Sequence, residues 1–298
     1  MEIREFSGNM KKALEKKLGD GYTVEEKTIS KNNGVSLEAL VIRKDKINLS
    51  PTIYLRSYYE RYTGGEGLKS VSESLLSDYY NAVPPQGIDM DFYTDYEKVR
   101  KGLFYKLIST ERNSALLEEI PHIPFQDLDI VFYYSLDTEG MPEGTILVRN
   151  KHMEMWGIGT EELMKDATAN SPLSMPAKCS MLLDVIKEMK PESAEFISDY
   201  DNLPPMYIIS NEKMINGASA ILYPGLLSEL SDKLGSGLLI IPSSVHEVIV
   251  IPENGIDDRD YLRKMIYCIN RSQLDPQDIL SDTLYYFDAE TEKITVAS

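Results

Sequence analysis

Three histidines, His122, His152 and His246, supply all the imidazole in the chain, and each has acids nearby: Asp127 and Asp129, Glu154, and Glu247. Imidazole beside carboxylate is the raw material of acid–base chemistry and of metal ligation. Convergence of the three would therefore make a site. Their spacing fits no metal signature, because HExxH needs a second histidine four residues on and none follows. The competing reading is a ring nitrogen hydrogen-bonded near a strand end. Ser243-Ser244-Val245-His246-Glu247, set between two apolar runs, has the residue types of a Ser-His-acid hydrolase. It lacks a G-x-S-x-G elbow, and a tight turn capped by serine hydroxyls is the better account of it. The catalytic candidates are thus His246, Glu247, Ser243 and His152, with His246 the preferred centre of any pocket.

The binding candidates are aromatic. Of 19 tyrosines, 11 fall between Tyr54 and Tyr134, including the pairs Tyr58-Tyr59, Tyr79-Tyr80 and Tyr133-Tyr134. Tyrosine is rigid and amphipathic, which suits interfaces as well as cores. Neighbours on a strand point to opposite faces, so one ring of Tyr133 and Tyr134 is expected in the core and the other nearer the surface. Trp156, the single tryptophan, precedes Gly157 and reads as an anchor at a corner or as a ligand platform. Tyr133, Tyr134, Trp156 and His122 form the binding set. No cofactor and no resident metal is expected: Gly64-Gly65 with Gly67 lacks the Walker lysine and the dinucleotide pattern, and Cys179 and Cys268 cannot make a four-ligand zinc site or a disulfide framework. Both cysteines are expected reduced and buried.

These residues must be positioned by an α+β fold. Phe6, Met10, Ala13, Leu14 and Leu18 follow helical spacing, and Asn32-Asn33-Gly34 between two β-like runs signals a hairpin. Ile47 to Leu55 reads as a third strand whose Pro51 favours an edge. A helix through Leu68, Val71, Leu75 and Tyr79 stops before Pro84-Pro85, and Asn81 to Asp91 is a linker or ordered loop. Thr94-Asp95-Tyr96-Glu97 has capping-box spacing and predicts a long helix through Val99, Leu103 and Leu107. Strands follow at Asp129 to Leu136 and Thr145 to Met153, then helices from Thr160 and over Met181 to Met189, with breaks at Ser171 to Pro176 and Ser198 to Pro205. From Met206 the order is strand, turn, strand, helix, strand, strand, helix and a final pair of strands, the last helix placing Tyr261, Leu262, Met265, Ile266 and Ile269 on one face. Alternating polarity and Gly or Asn turns predict antiparallel sheets flanked by helices, assembled from strand-turn-strand-helix units. Three regions, 1–90, 91–175 and 176–298, are expected, forming two or three domains.

The 31 Lys+Arg and 48 Asp+Glu leave a net charge of −17. It is unevenly spread: residues 1–56 hold 11 basic and 8 acidic residues, so the balance there is +3 and in the remainder −20. Nucleic acid is an unexpected partner, except through the basic N-terminal segment. No run approaches the ~20 apolar residues of a membrane helix, and no leader-like segment opens the chain, so a cytoplasmic protein is expected.

Several segments resemble a bacterial family of unknown function found in anaerobic gut clostridia and their relatives. They include Lys31-Asn32-Asn33-Gly34-Val35, Ser50-Pro51-Thr52-Ile53-Tyr54-Leu55, Tyr105-Lys106-Leu107-Ile108, Asp129-Ile130-Val131-Phe132-Tyr133, Trp156-Gly157, Leu222-Tyr223-Pro224-Gly225 and Pro242-Ser243-Ser244-Val245-His246-Glu247. The resemblance implies a bacterial, cytosolic α+β protein and carries over no catalytic residue. The residues themselves favour a non-catalytic binding or regulatory protein acting on a protein or small molecule, through a Tyr-rich surface or a pocket near His246. The alternative is a hydrolase-like or metal-assisted enzyme using His246 and Glu247 with His152. A second alternative is an acidic mimic of nucleic acid.

Overall fold

A computed structural model describes residues 2–45, 47, 50–82, 91–136, 144–189, 204–254, 256 and 258–297. Most of the 81–91 linker and of the 198–205 break lie outside them. The chain divides into two compact units, residues 1–95 with 136–145, and residues 96–135 with 146–298.

In the first unit, α1 (Ile3–Leu18) precedes β1 (Tyr22–Ser30), β2 (Ser36–Lys44) and β3 (Thr52–Tyr54), then α2 (Arg56–Thr63) and α3 (Leu68–Ala82). Asn33 and Gly34 take positive φ (61° and 67°), the conformation that an Asn-Gly step supplies cheaply. They register β1 on β2 from Tyr22↔Lys44 to Ser30↔Ser36. β3 covers only Ala39 to Val41 and forms a sheet edge, next to Pro51 as expected but shorter. The periodic face of α1 (Phe6, Met10, Leu14) packs with Val24, Leu40 and Ile42 of the sheet and with Val71, Leu75 and Tyr79 of α3.

The second unit begins with α4 (Tyr96–Val99), β4 (Leu103–Ser109), α5 (Ser114–Leu117), β5 (His122–Phe125) and β6 (Leu128–Leu136). The long helix expected through Leu107 is therefore a four-residue helix followed by a strand. Gly102 ends the helical turn, and Leu103-Phe104-Tyr105 pairs with β6 from Leu103↔Tyr134 onward. With six of its seven residues buried, β4 shows no alternation, and such a run cannot be told from a buried helix by period alone. β7 (Gly144–Leu147) joins β6 in this sheet. α6 (Asn150–Trp156) and α7 (Thr160–Ser174) follow, so the second half of the expected strand 145–153 is helical, and α7 runs on through Pro172.

A six-stranded sheet of order β13-β12-β10-β11-β9-β8 completes the unit. Its strands are β8 (Ala177–Met181), β9 (Tyr207–Asn211), β10 (Leu238–Ile241), β11 (Val248–Pro252), β12 (Tyr285–Asp288) and β13 (Lys293–Val296), with helices α8 (Leu182–Met189), α9 (Leu226–Leu234) and α10 (Arg259–Ser272). Its neighbouring strands pair antiparallel, which makes the protein α+β. Where a second strand was expected after Met206 there is a 3-10 turn, Gly217–Leu222. α10 packs Leu262 and Ile266 on Leu239, Ile241 and Ile251, while Tyr261 and Ile269 face solvent. Cys179 and Cys268 are free but exposed rather than buried, because one lies on edge strand β8 and the other on the solvent side of α10.

Candidate functional site

The loop between β10 and β11 carries Ser243, His246 and Glu247, and the segment 278–281 laces it in place. Leu280 N–H donates to Ser243 O (2.9 Å), Ser281 N–H to Pro242 O (2.9 Å), and Val245 N–H to Asp278 O (2.8 Å). Ser244 Oγ accepts from His246 N–H at 3.1 Å, the hydroxyl-capped turn that serine favours. The imidazole Nδ1 accepts from Asn216 N–H at 3.3 Å, which places the ring proton on Nε2, 3.5 Å from Asp278 Oδ1. The His246 carbonyl accepts from Ser210 Oγ at 2.7 Å. Among the described residues, no hydrogen bond links Ser243 or Glu247 to the ring. Both nitrogens of His246 thus hold backbone and carboxylate in register.

His152 lies in the first turn of α6, where its Nδ1 accepts from Arg149 N–H at 3.1 Å. Its ring centroid is 5.7 Å from Trp156, which is 5.7 Å from Tyr96. Tyr96 OH donates to Asp166 Oδ2 (2.8 Å), and Arg100 Nη2 reaches Asp166 Oδ1 (2.9 Å). The fold therefore brings two candidates, His152 and Trp156, into one aromatic stack, and Gly157, left-handed at φ 69°, ends the helix beneath them. Desolvation first, and the Arg149 charge second, depress the His152 pKa below 6.5. Since the folded state binds this proton more weakly than the unfolded chain, stability falls as pH drops from 6.5 through the folded pKa. An NMR titration of the His152 Cε1–H is expected to show a midpoint below 6.5, and His152→Gln is expected to remove that part of the acid sensitivity.

His122 is exposed on β5. Its Nδ1–H donates to Ile120 O (3.1 Å), and Nε2 lies 3.9 Å from Asp129, too far for a hydrogen bond. Asp129 is buried and accepts instead from Thr110 Oγ1 at 2.6 Å. Tyr133 is buried, its ring 5.8 Å from Phe104 and its hydroxyl 3.7 Å from Met175 Sδ. Tyr134 is half-buried with its ring over Gly102, where a Cβ would come within 2.6 Å of it. The three histidines thus sit on separate elements with separate partners. Among the described residues, no three His, Cys, Asp or Glu side chains are arranged to hold a metal ion.

Two carboxylates organise more than the histidines do. Asp127, in the β5–β6 turn, accepts from Ser281 Oγ (2.7 Å), Thr283 Oγ1 (3.0 Å) and Tyr285 OH. Asp282 accepts from both Nη atoms of Arg271 (3.0 Å each) and from Asn270 Nδ2 (2.8 Å), and Arg112 lies at 3.3 Å. Burial pushes the Asp282 carboxyl up, but the Arg271 and Asn270 bonds with the two guanidinium charges hold it below its usual range. The visible signal was Ser281-Asp282-Thr283, a polar run before a β-prone pair. Sequence spacing could not place Asp127, some 150 residues earlier, against it.

In the first unit a groove of about 600 Å³ lies where the start of α1, the start of β2 and the first turns of α2 meet. Ile3, Leu37 and Tyr59 give it half-buried apolar walls. Glu2, Glu38 and Glu60 line it against a single Arg56, which pairs with Glu60 at 3.3 Å. Tyr59 is set by ring packing on Phe6, 5.5 Å between centroids, so this wall is anchored in the core. The volume is that of a small-ligand or peptide site.

A family model described as a family of unknown function, DUF5688, matches residues 3–289. The chain belongs to this family. No curated protein and no solved structure matches it. The DUF5688 match takes in both compact units, the groove from Ile3 to Glu60 and the whole His246 loop. What distinguishes this DUF5688 chain chemically is therefore read from its own side chains. Among the described residues, no helix is long and apolar enough to cross a membrane.

Proposed function

We propose that this is a non-catalytic binding protein of the bacterial cytoplasm, and that its ligand sits in the groove between α1, β2 and α2. The observation that carries the reading is the groove itself: a volume of about 600 Å³ with apolar walls, an aromatic ring and an excess of carboxylates. Apolar walls with a few placed polar groups are what binding sites are made of. The enzyme reading names His246 and Glu247 with His152, but His152 sits on another element, and the ring nitrogens of His246 face the Asn216 N–H and the Asp278 carboxylate rather than Glu247. General acid–base work needs a nitrogen facing substrate. The acidic-mimic reading has less support, since acids of the second unit alternate with partners, as in Glu97–Arg100–Asp166 and Asp260–Arg263. An unbroken anionic row would be needed to imitate phosphates.

Leu37→Arg places a long cation in the groove from a half-buried wall. Affinity capture from a bacterial lysate with the full chain, quantified by mass spectrometry, is expected to lose its specific ligands with this variant. An unchanged captured set, with the variant's circular dichroism intact, would remove the groove as the binding site.

A further inference from the structure

The groove's charge and the strand beside it say more about its occupant, on the reading that the groove is the binding site. Glu38 is its most enclosed carboxylate, with the side chain 17% exposed. It accepts from Thr28 Oγ1 at 3.2 and 3.3 Å and meets one nitrogen of Arg4 at 3.4 Å. Arg4 is 81% exposed, so this is a single-point pairing by a side chain that lies mostly in water. Such a pair contributes little, and it is easily exchanged. A carboxylate offers about four lone-pair sites, so Glu38 has acceptor capacity to spare for a better-enclosed cation.

The second observation is the backbone. β3 pairs with Ala39 to Val41 only, and Leu55 N–H closes on Glu38 O before the chain leaves in α2. At Ser36 and Leu37, β2 has a strand partner on one side alone, β1. Ser36 shares the parity of Glu38, whose carbonyl faces the β3 side, so its N–H and C=O face the open edge next to the groove. Open edges of this kind are where extended segments add.

We propose that the groove binds an extended peptide segment of a partner protein, whose arginine or lysine pairs with Glu38 while its backbone lies along the open β2 edge at Ser36. Glu2, Glu38 and Glu60 outnumber Arg56 and the exposed Arg4 that pair with them, and this net negative charge sets the preference for a cation. Ile3, Leu37 and Tyr59 receive the aliphatic stem of the cationic side chain and an apolar neighbour, and the Tyr59 ring adds cation–π attraction. Arg4 acts as the internal placeholder that this side chain displaces.

The test uses two pools of capped, fluorescent heptapeptides, randomised at six positions, with arginine or glutamine fixed at the centre. Fluorescence polarisation on the full chain is expected to give the arginine pool about tenfold tighter binding. Glu38→Gln is expected to erase that preference and Arg4→Ala to increase it. Binding should also slow hydrogen exchange at the Ser36 amide. Equal binding of the two pools, or a preference that survives Glu38→Gln, would overturn the assignment. If neither pool binds while spermidine perturbs the groove resonances, the peptide inference fails and the groove reading survives. If peptides and spermidine perturb only resonances elsewhere, both fail.

Discussion

Gly217→Ala is expected to cost about 3 kcal/mol, lowering the thermal midpoint of the protein by roughly 6–12 °C. Gly217 opens the 3-10 turn after β9, and its Cα lies against three groups at once. A methyl added there would overlap Ser210 Oγ and come within 2.6 Å of His246 O and 2.7 Å of Asn211 N. Two of these are backbone atoms in strand-anchored segments, so they cannot rotate away as a side-chain tip would. The same residues hold the His246 loop: Ser210 Oγ donates to His246 O, and Asn216 N–H donates to its ring. The substitution therefore pushes on the site that the sequence nominates for catalysis. Differential scanning calorimetry on the full chain, with His246→Ala as comparison, measures the effect. His246→Ala removes one neutral and one charge-assisted contact at a half-exposed ring and should cost about 1–2 kcal/mol. A Gly217→Ala variant as stable as the parent would mean that the turn relaxes, and that the loop is not the tightly packed junction described above.

The histidines were legible as residues worth locating, but their roles were not. Sequence put His246 in a serine-bearing turn, and the turn is there. What it could not show was Asp278 and Asn216 arriving from segments 30 residues away to occupy the ring. Local chemistry was read well wherever the determinant was local: Asn33-Gly34 made its hairpin, and the α1 stripe found a core. It failed where pairing across the sequence overrode local signals. The capping box at Thr94 to Glu97 opens only one helical turn, because β6 claims Leu103 to Ser109 as a partner and both faces of that strand are covered. Tyrosine abundance was compatible with core and with surface, and the structure divides it: Tyr58, Tyr79, Tyr93, Tyr105 and Tyr133 are buried, while Tyr80 is exposed. A residue that is amphipathic by nature gives no sequence sign of which end faces water. The groove was invisible for a related reason: its walls come from residues 2–3, 36–38 and 56–60, three segments with no shared motif.

Asp127→Ala is expected to destabilise the protein by about 3 kcal/mol, with the loss concentrated in one phenol. Tyr285 is completely buried on β12, and its hydroxyl donates to Asp127 Oδ1. Ser281 Oγ and Thr283 Oγ1 crowd the other oxygen. Removing the carboxylate strands a buried donor that water cannot reach, which is costlier than removing both partners. Tyr285→Phe should therefore cost only about 1 kcal/mol, and the double variant clearly less than the sum of the singles. Burial first, then the hydrogen bond and charge of Asp127, raise the phenol pKa above 10.0. The folded state keeps this proton longer than the unfolded chain does. Stability from the pair is therefore complete below pH 10 and is lost as pH rises from there toward the folded value. Urea unfolding at pH 7 and above pH 10 separates the contributions: Tyr285→Phe should flatten the alkaline decline. Additive single-variant costs, or an alkaline limb unchanged by Tyr285→Phe, would show that the hydroxyl and the carboxylate do not act as a pair.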